Sequence, residues 1–231
     1  MEPKQPKPPI ASTLERLKNR YIVQAWLVLI LTLCFGGTLA GVQLTLGPII
    51  ETNKLNETIQ RVPELILGAD QARKMEKQGR SLSVEPLSLG VEKHGRKVFY
   101  NVYDAKSNGE RIGWVVKASG QGYADKIELL IGLDPPNEKI TGLFILEQKE
   151  TPGLGNKIAA DYWRNQFINK KVRTPLVVIR GGVKPANGID AITGATISSR
   201  TVTNIINTAV SDLREPLSLH AASVSRAKDE P

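Results

Sequence analysis

The sequence predicts an α+β fold, in which a single N-terminal transmembrane helix precedes an antiparallel-sheet domain with packed helices. Three observations predict it. An uncharged apolar stretch lies near the N-terminus, a series of β-rich segments joined by turn signals follows, and an apolar period of helical spacing lies near the C-terminus.

The apolar stretch comes first. No residue from Tyr21 to Ile50 is charged, and Ala25 to Leu46 is dominated by Leu, Val, Ile, Ala and Gly. About 20 such residues in a helix span the hydrocarbon core of a bilayer. A signal peptide has a shorter apolar region, and Gly47-Pro48 followed by Glu51-Thr52 reads as a helix interruption more than as a small-residue cleavage site. Lys4, Lys7, Arg16, Lys18 and Arg20 precede the span, whereas Glu51, Glu57, Glu64 and Asp70 outnumber Lys54 and Arg61 after it. The positive-inside rule then places the N-terminus in the cytoplasm and everything after residue 50 outside, anchored in the inner (cytoplasmic) membrane with its outer domain periplasmic. Tyr21 and Trp26 suit the interface, and Gly36, Gly37 and Gly41 offer small positions to a neighbouring helix. The expected organisation is a cytoplasmic tail over 1–20, a transmembrane helix over 21–46, a stalk or connector helix over 47–90, a folded domain over 91–215 and a polar tail over 216–231.

In the connector, Leu55, Ile59, Val62, Leu65 and Ile66 form a partly apolar face broken at Pro63. Segments rich in Val, Ile, Tyr and Phe follow at Lys97 to Tyr103, Ile112 to Ala118, Lys126 to Leu133, Ile140 to Gln148 and Leu176 to Arg180. Lys106-Ser107-Asn108-Gly109 joins the first two, its Asn-Gly supplying the positive-φ positions of a hairpin turn. Asp134-Pro135-Pro136-Asn137 separates the third and fourth. Consecutive hairpins favour an antiparallel sheet, with helices near Asn156 to Phe167 and Ser199 to Leu213 packed on it. Glu215-Pro216 is expected to end the last helix.

Composition excludes several classes. The net charge of +8 is not carried by basic runs interleaved with aromatics, so nucleic acid is not an expected partner. One cysteine, Cys34, rules out an intramolecular disulfide and disfavours a thiolate-held metal or cluster. His94 and His220 lie far apart in polar sequence, which reads as surface histidine and not as a metal site.

Two runs carry chemistry. The first is Asp190-Ala191-Ile192-Thr193-Gly194-Ala195-Thr196, followed by Ile197-Ser198-Ser199 and an apolar helix face of Val202, Ile205, Ile206, Ala209, Val210 and Leu213. Ser198 or Ser199 is the natural N-cap, and Gly194 and Ala195 keep the approach open. First-turn N–H groups lack carbonyl partners and the helix dipole adds partial positive charge, so a phosphate joined to Thr196 would be favoured there. An ordinary turn and cap has the same composition. The second run is Glu150-Thr151-Pro152-Gly153-Leu154-Gly155. Its Pro and two Gly force a tight loop that leaves the Thr151 hydroxyl, Leu154 and backbone N–H groups available to a flat ligand, although a plain strand-to-helix connection fits too. Lys157, Lys184 and Arg200 are candidate counter-ions.

Together these runs resemble the FMN-binding domain family, which has a Glu-Thr-Pro-Gly-Leu-Gly loop upstream of an Asp-x-x-Ser/Thr-Gly-Ala-Thr motif, as found here; the likeness covers about Val91 to Leu213. Ala124-Asp125, after Gly122-Tyr123, departs from the family's more usual glycine there. The resemblance implies FMN held covalently by a phosphoester to Thr196 and installed from FAD by a flavin transferase. It implies a cofactor site of Thr193, Gly194, Ala195, Thr196 and Ser198 with Glu150, Thr151, Gly153, Leu154 and Gly155, and no residue acting as general acid or base. Within the family the chain is most similar to the G subunits of Rnf-type ion-translocating ferredoxin:NAD oxidoreductases, with the C subunits of sodium-translocating NADH:quinone reductases as the alternative. Either implies an electron-relaying flavoprotein among other membrane and peripheral subunits. An anchored ligand-binding module without flavin and a reductase acting directly on an outside acceptor are the competing readings.

Overall fold

The computed structural model describes residues 10–93 and 95–229. Lys4, Lys7 and His94 lie outside the described residues. Two compact units divide the chain after Lys54. Helix α1 (Ile10–Leu67) contains one stretch long and apolar enough to cross a membrane. Its side chains from Tyr21 to Ile50 are almost all exposed, including Leu27, Leu33, Phe35 and Leu44. Thr32, Thr38 and Thr45 donate their hydroxyls to the carbonyls of Val28, Cys34 and Gly41, four residues back, at 2.8–2.9 Å. In lipid, where water offers no partner, that internal bonding removes the desolvation penalty of each hydroxyl.

Gly47-Pro48 and Pro63, expected to break helices, both lie inside α1. A proline removes one intrahelical bond, and here the flanking helix offsets that loss. The segment after Pro63 is retained because it is buried: Val62, Leu65 and Ile66 sit against Tyr103, Ala105, Val115 and Leu130 on one face of the sheet.

After α2 (Ala69–Lys77), five antiparallel strands follow in the order β1 (Ser83–Lys93), β2 (Arg96–Ser107), β3 (Glu110–Gln121), β4 (Lys126–Leu133) and β5 (Ile140–Glu147), each paired with the next. The β2–β3 turn has Asn108 at φ 52° and Gly109 at φ 80°, the left-handed pair that Asn-Gly supplies. At the β4–β5 turn the Asp134 carboxylate accepts the N–H groups of Glu138 and Lys139 at 2.6 and 2.9 Å, and Trp114 donates its indole N–H to the Pro135 carbonyl at 3.2 Å. β1 occupies part of the stretch expected as a connector helix. Leu87, Leu89 and Val91 alternate there and pack against the main core.

Strand β4 reads as continuously apolar because both its faces are covered. Ile127, Leu129, Ile131 and Leu133 face α4 (Thr196–Asp229), whose Val202, Ile205, Ile206, Ala209, Val210 and Leu213 are buried at the expected helical spacing. Leu130 joins the opposite cluster with the end of α1. Asp212 of α4 accepts Lys93 at 3.0 Å and the Tyr100 hydroxyl at 2.6 Å, which ties the helix to β1 and β2. Burial, then the neighbouring Asp212 carboxylate, holds the Tyr100 phenol well above its ordinary pKa, so it remains a donor.

Pro216 does not end α4, and the expected polar tail is helical to Asp229. The lost Pro216 N–H is offset by what the continuing turns bury: Leu217 is 1% exposed, and His220 meets Trp114 edge-on at 5.9 Å. His220 is therefore a half-buried packing residue and not a solvated surface histidine. The expected helix over Asn156 to Phe167 is three short pieces: a 3₁₀ turn Gly155–Ala159, α3 (Asp161–Arg164) and a 3₁₀ turn Asn165–Phe167. Of their large side chains, Ile158 lies five residues before Trp163, off the face that Trp163 and Phe167 would share in one helix, and the broken backbone turns all three into the core. Finally, β6 (Val177–Ile179) and β7 (Gly188–Asp190) pair in parallel, with Ile179 opposite Asp190.

Candidate functional site

A cavity of about 870 Å³ opens where four segments meet: Tyr123 in the β3–β4 turn, the loop Thr151 to Gly155, Arg180-Gly181 after β6, and Ala191 to Ser198 at the start of α4. That volume lies in the range of roughly 300–1,000 Å³ usual for small-ligand sites. Tyr123, Leu154 and Ile197 are 65%, 42% and 54% exposed, so among the described residues the opening presents uncovered apolar surface.

Helix α4 begins at Thr196 itself. Ser198 and Ser199, expected as N-caps, lie in its first turn, and the residue before the helix is Ala195. Their hydroxyls are used otherwise. Ser199 Oγ accepts the Ile192 N–H at 3.1 Å and donates to the Ala195 carbonyl at 2.9 Å, bracing the turn that leads into the helix. Among the described residues, the N–H groups of Thr196, Ile197 and Ser198 have no backbone acceptor, and the Thr196 side chain is half-buried with no hydrogen-bond partner. With no side-chain cap of their own, these donors are available to an oxyanion. Gly194 has φ +81°, and a Cβ there would stand 2.9 Å from Leu154 Cδ2, so glycine both makes the turn and lets the two loops touch.

Behind this wall lies a buried carboxylate. Glu150 is 4% exposed; one oxygen accepts the Ala124 N–H at 3.1 Å and the other accepts the Ser198 hydroxyl at 2.5 Å. It joins the β3–β4 turn, the Thr151–Gly155 loop and the start of α4. Gly155 permits the approach, since a Cβ there would lie 2.8 Å from Glu150 Cβ and 3.0 Å from Ser198 Oγ. The turn at Ala124-Asp125 closes through Gly122 N–H to the Asp125 carbonyl at 2.8 Å, and it aims the Ala124 backbone N–H at Glu150. In Glu150→Gln an amide NH₂ replaces an acceptor opposite one of two donors, so a destabilisation of about 1–3 kcal/mol is expected in urea unfolding. Ser198→Ala in the same background should add little to it, since the pair is one unit.

Asp190 is pinned from three sides. Trp163 donates its indole N–H to the Asp190 carbonyl at 2.8 Å, the Asp190 N–H donates to Gln166 at 2.9 Å, and Lys184 meets the carboxylate at 2.6 Å. Lys184 is thereby committed, and neither it nor Lys157 nor Arg200 lines the cavity. Of the expected site residues, Thr151, Leu154, Gly155, Thr193, Gly194, Ala195, Thr196 and Ser198 line it; Glu150 and Gly153 do not. Glu150 acts from behind the wall, and Gly153 (φ +75°) shapes the loop. Tyr123 and Arg180 are lining residues that were not among those expected; for Arg180 the only signal was a basic residue at a strand end before Gly-Gly.

The model of the FMN-binding domain matches residues 122–211, which contain every segment of the cavity. The G subunit of the Na(+)-translocating ferredoxin:NAD(+) oxidoreductase complex of Acetobacterium woodii is 38% identical over 168 residues, covering 72% of this chain and 78% of that one. The G subunit of the ion-translocating oxidoreductase complex of Methanosarcina acetivorans is 31% identical over 148 residues, covering 63% and 76%. Among solved structures, NqrC of Shewanella oneidensis matches with a TM-score of 0.57 at 19% identity, over 72% of this chain and 97% of that one, a likeness of fold.

Proposed function

Since the chain belongs to the G-subunit family of ion-translocating oxidoreductase complexes and carries that family's FMN-binding domain, we propose that it is a membrane-anchored flavoprotein electron-transfer subunit with FMN joined to Thr196. The observation that carries the attachment is the Thr196 hydroxyl on the cavity wall, unpartnered among the described residues and beside three N–H groups without backbone acceptors there. A phosphoester there would be held by the N–H groups of Thr196, Ile197 and Ser198 and by the positive end of α4. Leu154 and Tyr123 offer apolar faces to a flat ring, and the Thr151 hydroxyl offers it a polar edge. Glu150 and Trp163 hold the two loops at fixed separation. When bound, a flavin accepts and passes one or two electrons at a potential tuned by nearby charge and hydrogen bonds. No side chain is assigned a proton-transfer step, because relay requires proximity and potential. A covalent tether keeps the cofactor from being lost to the outer space in which the positive-inside rule places the domain. A flavin transferase and the other subunits of the complex are the partners this reading requires.

Full-length protein co-expressed with a flavin transferase is expected to give a fluorescent band in a denaturing gel, with the added mass on the tryptic peptide Gly181–Arg200. A colourless protein, or the mass on another peptide, overturns the attachment. A periplasm-active reporter fused after Gly79 should be active, and activity of a cytoplasm-only reporter there would reverse the topology.

A further inference from the structure

Among the described residues, the cavity wall carries one charged side chain, Arg180, and no carboxylate. Its root is held. Ile179 pairs with Asp190, and the Ala191 N–H donates to the Ile179 carbonyl at 2.8 Å. Gly181 and Gly182, at φ +76° and +87°, then turn the chain away, and Lys184 closes the loop on Asp190 and Gln166 at 2.6 Å each. The guanidinium itself makes no hydrogen bond or ion pair among the described residues. Arg164 and Arg173, by contrast, are bound to Asp161 and Glu138. A cation with a fixed root and an uncommitted head, on a wall without acids, is placed to meet an anion.

Two negative groups would enter this cavity. The phosphate belongs at the N-terminus of α4, where backbone donors already serve it. Arg180 follows β6 directly and so stands beside the Asp190–Ala191 end of the motif. We propose that Arg180 is the counter-ion to the negative charge that the flavin ring gains on reduction, and thereby sets its reduction potential. This rests on the reading that the cavity holds FMN on Thr196. Two electrons from a donor centre of the complex and one proton from water leave one negative charge on a ring that is neutral when oxidised. A fixed cation therefore favours the reduced form over the oxidised one.

The test is a spectroelectrochemical titration, with dithionite and mediator dyes, of full-length wild type, Arg180→Gln and Arg180→Lys, each flavin-loaded. In Arg180→Gln the ratio of reduced to oxidised flavin at a fixed potential should fall about tenfold, a midpoint about 30 mV lower for a two-electron couple. Arg180→Lys should recover most of that shift, and covalent loading should be unchanged in both. An unchanged midpoint in loaded Arg180→Gln overturns the proposal. So does a loss of loading with an unchanged midpoint in the loaded fraction, which would assign Arg180 to the phosphate. Wild type without covalent flavin would instead remove the reading on which the proposal rests.

Discussion

Thr196→Ala, co-expressed with a flavin transferase, is expected to carry no covalent flavin while remaining folded. The two halves of that expectation have separate physical grounds. The hydroxyl is the atom through which the proposed phosphoester forms, and an alanine methyl cannot form it. In the unmodified chain the same hydroxyl makes no hydrogen bond among the described residues and is half-buried, so its removal orphans no partner. The start of α4 is braced by Ser199 and by the Ser198–Glu150 contact, and neither involves Thr196. The stability change should stay within about 0.5 kcal/mol, as for substitutions that touch no packing or bonding feature. Thr196→Ser should restore loading, because it keeps the oxygen at the same helix position. In-gel fluorescence and intact mass read the first half, and near-UV circular dichroism with a urea titration reads the second. Undiminished covalent flavin in Thr196→Ala removes that residue from the site.

Legibility in the sequence followed burial on one face. The α4 period and the Asn108-Gly109 turn were visible because each rests on local chemistry: one apolar stripe, and two left-handed residues in a row. β1 was not visible. It is an edge strand in which Glu85, Pro86, Glu92 and Lys93 interrupt the alternation, and only pairing with β2 makes it a strand. β7 is three residues long, of which only Asp190 belongs to the motif, and it exists because β6 lies beside it. The helical continuations past Pro48, Pro63 and Pro216 show how little one missing N–H decides when buried residues such as Val62, Leu65 and Leu217 lie on the far side. At the site, the cavity-lining loops were legible as motifs, whereas the role of Glu150 was not. The sequence placed Glu150 among the cofactor residues, and only the fold shows two donors converging on it behind the wall. Lys184 erred in the opposite sense, as a free cation by sequence that proved to be the partner of Asp190.

Trp163 is where the core reaches the site, and Trp163→Ala should show the largest loss of stability. The side chain is 1% exposed, meets Phe167 edge-on at 5.1 Å, and donates to the Asp190 carbonyl at 2.8 Å. Truncation to alanine leaves a cavity and costs about 3–5 kcal/mol, which for a domain of this size lowers Tm by roughly 6–20 °C. Trp163→Phe keeps most of the volume but leaves the Asp190 carbonyl without its donor, at about 1–3 kcal/mol. Stability alone does not separate core from site, so a comparison at similar cost is needed. Leu130→Ala removes a fully buried side chain from the cluster on the opposite face of the sheet, also at about 2–5 kcal/mol. If Trp163 positions the motif through Asp190, covalent loading at a temperature where both variants are folded should fall in Trp163→Ala and persist in Leu130→Ala. Trp163→Phe should fall between them. Equal loading in all three would confine Trp163 to packing and leave Lys184 and Gln166 as the groups that hold Asp190.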